Sequence, residues 1–503
     1  MQETLPSWHW AYASIDALQM RGILRDLSRL HKPYTRGEIA QTLLHVEKMA
    51  EDKKILLTRM EAGHIQKLFE EFRIEILELE ESDVKPCFRL GGRSHNDIFK
   101  SGDDKAEYKG IHRTRIAVPV GKKLTLFNTV NFDQYNVDDS LYIGKKWRGI
   151  VAYTEQAYIR AGWKHFRFQF GRDFIQMGAG QSGTLLFSNV TRPMDHLMMN
   201  VFLGPFRYSY TAAVLDEVNL SAEWAAQQGG YKARRYLSSH RLDMHFFKGA
   251  LQCAFSESIL YGGVNQNLSW AYLNPFIFYH GAQMNSEGMG NTVGTLDILM
   301  YPVKSWEIYS SLLIDDLQIE KTGSGDLEPA EIGWLAGTRL ADPFNISGAE
   351  VSTEFVRITN RTYKTPFPWE TFIHRNDPLG HPLGHDFDYW TVGISQWINA
   401  SFQMNLFYSR TRKGEGSLYT PWDAPWMDVD VEEGYSEPYL SGTVETLSQY
   451  HVGFKYRPFR QMGLEADFWY NDISNQNHIK GEMYTGMDWR IRLWFDGDWT
   501  IHL

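Results

Sequence analysis

Two different hydrophobic periods run along this chain, and the switch between them divides it. In residues 1 to 82 apolar positions recur at helical spacing: Ala11, Ile15, Leu18 and Gly22; then Ile39, Leu43, Val46 and Ala50; then Ile65, Leu68, Phe72, Ile76 and Leu79. Three helices are predicted, the second opened by a capping box of Thr35 with Glu38. From about Lys109 the period becomes two. Phe166, Phe168 and Phe170 face one way and His165, Arg167 and Gln169 the other; Leu242, Met244 and Phe246 oppose Arg241, Asp243 and His245. The same alternation runs through 401–410, 464–471 and 489–503.

Many of these segments run about 10 to 15 residues, with aromatics near their ends, and about 18 can be counted; strands of soluble sheets are shorter. The expected fold is mainly β, a transmembrane antiparallel β-barrel of about 18 strands over 83–503, preceded by a small helical bundle over 1–82. A soluble propeller or sandwich is the alternative, because alternation alone does not say which face is wet. Short turns near 119–121, 248–249 and 301–304 contrast with long loops at 262–292, 364–386 and 413–441, as expected when turns at one end are periplasmic and loops at the other are extracellular.

Composition narrows this further. Aromatic residues make up 14% of 503, while mean hydropathy is -0.39 and no apolar run approaches the roughly 18 residues of a membrane helix, which excludes a helical membrane protein but not a barrel. A net charge of -10 argues against a nucleic-acid partner. Cys87 and Cys253 form neither a zinc motif nor a disulfide framework. No basic and apolar leader is visible, so an exported chain is expected to have lost its signal peptide.

Gly178, Gly180 and Gly183 spell G-x-G-x-x-G, but the strand before them is half-polar and Pro193 stops the stretch after them before a crossover helix could form. A nucleotide cofactor is not expected. The glycines read as a tight inward fold of chain beside Arg172 and Asp173, with close backbone approach.

A helical N-terminal part followed by a barrel carrying Gly171-Arg172-Asp173, Gly178-x-Gly180, Leu185-Leu186-Phe187-Ser188-Asn189 and Arg192-Pro193-Met194 resembles the capsule assembly protein Wzi family. The stretch from Pro378 to Asp386 resembles a segment of its more distant members. Met177 stands where the family often has Trp, and Leu503 ends the chain where outer-membrane barrels often have Phe. The resemblance implies a bacterial outer-membrane barrel of about 18 strands over a periplasmic helical bundle, lectin-like attachment of surface polysaccharide, and neither catalysis nor a cofactor. Trp8-x-Trp10-Ala11, Gly22-Ile23 and 34–40 also resemble one S-layer homology repeat. That resemblance would give Arg36 and Glu38 a cell-wall contact, against the plainer reading of a bundle packed under the barrel.

The lumen would carry Arg167, His165, Gln169, Arg241, Asp243, His245, Glu465, Asp467, Arg490 and Arg492, a mixture of signs that pairs and stiffens more readily than it conducts. His374, His381, His385 and Asp386 have metal-like spacing, but Pro378 and Pro382 exclude the helix that would align them, so no metal is expected. Asp423, Asp428, Asp430, Glu432 and Glu433 offer too many carboxylates to assign a hydrolytic pair. Their loop is the candidate glycan site: Tyr419, Trp422, Trp426 and Tyr435 offer stacking faces, and Asp423, Asp428 and Asp430 accept hydrogen bonds from hydroxyls. Its alternative reading is an aromatic girdle below a solvated acidic tip. Expected partners are surface polysaccharide and outer-membrane lipid, with cell-wall polymer for the helices. The competing functions are a porin-like channel and a tether between membrane and wall.

Overall fold

The computed structural model describes residues 1–81, 87–188, 190–285, 289–318 and 322–502. Asn189, Leu503 and the boundary expected between residues 82 and 83 lie outside the described residues. Eighteen antiparallel strands close into one barrel. They are β1 (Cys87–Lys100), β2 (Glu107–Val120), β3 (Leu124–Asp133), β4 (Val151–Gly162), β5 (Phe166–Asp173), β6 (Met194–Leu203), β7 (Phe206–Val214), β8 (Lys232–Phe246) and β9 (Leu251–Gly263). The second half comprises β10 (Asn291–Val303), β11 (Trp306–Asp316), β12 (Glu331–Ala341), β13 (Ala349–Ile358), β14 (Phe387–Asn399), β15 (Phe402–Lys413), β16 (Glu445–Phe459), β17 (Met462–Ser474) and β18 (Met483–His502). Each pairs with the next, and β1 pairs with β18 from Cys87 opposite His502 to Lys100 opposite Trp489.

Which face is wet is settled by burial. Phe170, Leu406, Ile491 and Trp499 stand exposed on the outer wall, while Arg241, Asp243, Asn131 and Asp97 are buried inside. A soluble sheet would do the opposite. The inner wall pairs its charges: Arg241 holds Asp243 and Asp297, Arg113 holds Glu155, Arg492 holds Asp97 and Arg490 holds Asp467. His165 is a correction to the expected lumen set, because the chain turns at 163–165 and leaves it exposed, its ring against the Phe202 carbonyl. β1 begins before the visible period of two, since Gly91 and Gly92 blur its alternation.

The eight strand connections at one end run from two to seven residues and the nine at the other from six to 31, the extremes being 204–205 and 414–444. The helices plug the short-turn end. The N-terminal ones are α1 (Ala11–Met20), α2 (Arg36–Glu51), α3 (Arg59–Glu71) and α4 (Arg73–Glu80). The last predicted helix is broken at Phe72, whose ring lies under the Arg36 guanidinium while Arg36 also donates to the Glu71 carbonyl. The capping box of Thr35 and Glu38 forms as expected. Arg21 reaches Asp342 in one short turn, Glu71 reaches Arg460 in another, and Lys67 donates to the Arg457 carbonyl. Trp8, Trp10 and Trp494 interleave with Arg93 and Arg457, each guanidinium lying over two indoles.

Candidate ligand-binding face

The long-loop end is built by segments that fold back over and into the barrel. Residues 174–193 leave β5 and enter the lumen, where Ile175, Met177, Leu185, Leu186 and Phe187 join one apolar core with Leu237, Val293, Leu335, Phe372 and Leu379. The segment touches the plug from above: Met177 and Gln176 pair with His31 and Lys32, and Gly178 donates to the Leu30 carbonyl at 3.0 Å. The glycine motif is therefore a packing device. Gly178 and Gly180 sit at φ of +124° and +125°, and a Cβ on Gly180 would come 2.2 Å from the Gly183 carbonyl oxygen.

The other motif residues hold the same fold. Asp173 is fully buried and accepts from Gln156 at 2.7 Å, Gln169 at 2.8 Å and Thr4 at 2.9 Å, tying two wall strands to the N-terminal segment. Gly171, at φ +124°, lies against the Ala157 carbonyl. Ser188 donates its backbone N–H to Leu379 at 2.8 Å. Arg172 pairs with Asp195, and Arg192 donates to Asp139 and Asn136, each at 2.7 Å.

Arg172, Arg192 and Pro193 also line a cavity of about 540 Å3 at this end. Tyr142, Tyr153 and Arg375 also line it, and Trp8 of the N-terminal segment reaches it from the plug. Sequence reading placed the first three in a structural motif and missed the others, which come from four separated segments with no shared local signal.

The 414–444 loop closes on a cation the sequence did not single out. Arg361, at φ +67° just after β13, donates to Asp423 at 2.8 Å, pairs with Glu437, and lies 4.8 Å over the Trp426 ring. Burial works against its charge, but the Asp423 and Glu437 carboxylates more than offset this and raise its pKa. Trp426 is thus 3% exposed and packs edge-on to Trp422 at 6.1 Å and near Tyr435 at 6.2 Å. Of the seven expected glycan contacts, Tyr419, Asp423, Asp428 and Asp430 are exposed and Trp422 and Tyr435 half-buried. Trp426 serves as the loop's internal post, and Asp423 already holds Arg361.

His374, His381, His385 and Asp386 are not brought together. His374 faces Asp216 at 3.0 Å, His381 approaches Ser182 at 3.3 Å, and His385 accepts from the Arg361 backbone at 3.3 Å. Burial lowers His381 and His385 to about 3, so both stay neutral. Asp386 caps the base of the 414–444 loop, accepting from Gly416 at 2.8 Å and Ser441 at 3.2 Å. At the opposite end Arg36 is buried among Glu71 at 3.0 Å and Glu75 at 2.9 Å, and Glu38 pairs with Arg167 of β5. Both expected wall contacts face the packing.

A family model described as capsule assembly protein Wzi matches residues 106–485. No curated protein matches the sequence. Among solved structures, Wzi of Escherichia coli is 14% identical at a TM-score of 0.60, covering 98% of this chain and 99% of its own; it is described as a carbohydrate-binding β-barrel of the outer membrane involved in group 1 capsule assembly. OccD3 of Pseudomonas aeruginosa is 9% identical at a TM-score of 0.48, covering 83% of this chain and 93% of its own. OccK1 of the same organism is 9% identical at 0.47, covering 82% and 99%.

Proposed function

The chain belongs to the capsule assembly protein Wzi family, and from that membership we propose that it is a non-catalytic, lectin-like protein of the outer membrane that holds or organises surface polysaccharide. The observation that carries this reading is the 540 Å3 cavity at the long-loop end, which combines guanidinium, carboxylate and phenol groups in the manner of a polyhydroxyl-binding site. The end with the plug then faces the periplasm and the long loops face outward. Tyr419, Trp422, Asp423, Asp428, Asp430 and Tyr435 supply a second contact region around the post made by Trp426.

The porin-like alternative is weakened by the apolar core that the 174–193 segment builds inside the barrel, and the tether reading by the inward use of Arg36. The test is a deletion strain complemented with the wild type or with Arg192→Ala/Arg375→Ala. Loss of cell-associated polysaccharide in the deletion, restored by the wild type and not by the double variant, is expected. Retention of polysaccharide by the deletion strain, with ohmic conductance of the purified protein in planar bilayers, would replace this reading with the channel.

A further inference from the structure

A second cavity, of about 600 Å3, lies between the loops that follow β9, β11, β13 and β15, at the long-loop end. Four carboxylates line it: Asp315 and Asp316 at the end of β11, Glu328 in the loop after it, and Glu331 at the start of β12. Trp422 and Trp426 line it as well. Lys364 lines it too, but its ammonium is engaged by the Ser417 and Thr420 carbonyls at 3.0 and 2.8 Å.

Glu331 is the decisive group. It is 3% exposed, lines the cavity, and its Oε1 has no hydrogen-bond partner. Its electrostatic surroundings are dominated by Asp315, Glu328 and Asp316. A buried carboxyl oxygen without a partner is costly unless something cationic or hydrogen-bonding completes it. Glu328 carries the same strain: burial, then Asp316, push its carboxyl up to about 7.

Calcium and magnesium need several oxygens converging at roughly 2.0 to 2.6 Å, and among the described residues no three Asp, Glu, His or Cys groups converge that way. An ammonium accepts looser spacing, because each of its hydrogens can reach a different acceptor. The volume falls within the roughly 300 to 1,000 Å3 range of small-molecule sites, and the Trp422 ring in the same cavity suits the flat apolar face of a pyranose.

We infer that this cavity binds a cationic saccharide unit, an amino sugar whose ammonium sits among Asp315, Asp316, Glu328 and Glu331 while its ring lies against Trp422. The inference rests on the polysaccharide-binding reading above and names the sugar class that one part of the same face selects.

The test uses the full chain in detergent and two probes of one skeleton: a β-1,4-linked glucosamine tetrasaccharide and its fully N-acetylated counterpart, titrated by calorimetry. The amino form should bind at least tenfold more tightly, and Glu331→Gln and Glu328→Gln should each weaken it at least fivefold while the N-acetylated form is unaffected. Glu328 lies in a loop, so its variant reports on binding even where Glu331→Gln lowers folded yield. Equal binding of the two probes, or indifference to both substitutions, overturns the inference. So does stoichiometric calcium binding that the amino form does not displace. Failure here with the deletion strain still losing its polysaccharide leaves the proposed function standing; selective amine binding with polysaccharide retained by the deletion strain supports the cavity and removes that function.

Discussion

Two long loops at one end of the barrel, of 20 and 31 residues, solve the same problem in opposite ways. The 174–193 segment goes inward and is fixed by backbone: glycines at positive φ, main-chain hydrogen bonds to Leu30 and Leu379, and an apolar core shared with the wall. The 414–444 loop goes outward and is fixed by side chains, with the Arg361 guanidinium gathering Asp423, Glu437 and Trp426. A segment buried on all sides must satisfy every peptide group with protein partners, which favours backbone pairing and residues small enough to permit it. A loop in water can leave its peptides solvated and needs only one or two buried posts to hold its shape. The inward loop should therefore be intolerant of small changes and the outward loop tolerant except at its post.

The largest break is expected inside. Gly180→Ala places a Cβ 2.2 Å from a backbone oxygen at φ +125°, and backbone cannot move aside as a side-chain tip can. A cost on the order of 3 kcal/mol is expected from strain of this kind, read as loss of the heat-modifiable folded band. Gly178→Ala, which meets the Thr184 side chain at 3.1 Å, should cost less. Gly204→Ala, in a short turn with nothing within 4 Å, should cost only about 1 kcal/mol. Equal yields of all three would show that close backbone contact does not constrain the inward segment.

Acid should separate the plug from the wall next. Burial opposes the Glu75 carboxylate, but Arg36 and Arg89 overcome it and lower the carboxyl to about 2, against 4.5 in the unfolded chain. The unfolded state thus binds the proton first, so this stabilisation is complete above about pH 4.5 and is lost as pH falls toward 2. His64 adds to it in the same direction. Burial, then Arg21 and Lys67, lower it to about 3 from 6.5, and its share is lost as pH falls from 6.5. At full effect the first is worth about 3 kcal/mol and the second about 5 kcal/mol. Protease cleavage within α1 to α4 should rise across that range while the barrel survives, and Glu75→Gln should flatten the lower part of the curve, because it removes the carboxylate that pairs with Arg36 and Arg89.

How legible these regions were differs for a physical reason. The wall repeats a period of two that any stretch such as 464–471 displays by itself, and the long and short connections followed from where that period stops. The capping box at Thr35 was equally local. Contacts between distant segments leave no such trace: nothing near Arg361 marks it as the partner of Asp423, 62 positions on. Trp426 looked like a sugar-stacking ring because its neighbours are acidic, yet the acid beside it answers an arginine from another loop. His165 was placed in the lumen by extending an alternation one residue past the strand end.

Arg361→Met sharpens the contrast at smaller scale. It keeps the volume beneath Trp426 but leaves Glu437 and Asp423 without a cation. Asp423 is 68% exposed, so its share is screened, and a local cost of about 1 to 2 kcal/mol is expected. Limited proteolysis should cut 414–444 faster in this variant, with the barrel's thermal transition unchanged. A lowered transition would mean that the outward loop is coupled to the wall as tightly as the inward one.

The smallest effect concerns ligand alone. Trp422 and Trp426 stand edge to face at 6.1 Å, but only Trp426 is enclosed by Arg361 and the loop. Trp426→Ala should mimic Arg361→Met, opening the loop and lowering polysaccharide retention as a consequence. Trp422→Ala should leave proteolysis of the loop as in the wild type, because the ring contributes a wall of a cavity rather than a support. One sugar ring stacked on one indole contributes on the order of 1 kcal/mol, by analogy with aromatic pairs, so retention should weaken by about fivefold to tenfold and return with Trp422→Tyr. The two readouts must part company for the argument to hold. If Trp422→Ala speeds cleavage as Trp426→Ala does, both rings are posts and the glycan contact lies with Tyr419 and the arginine-lined cavity; if neither substitution changes retention, the outward loop is a cover whose shape Arg361 maintains for the protein's own sake.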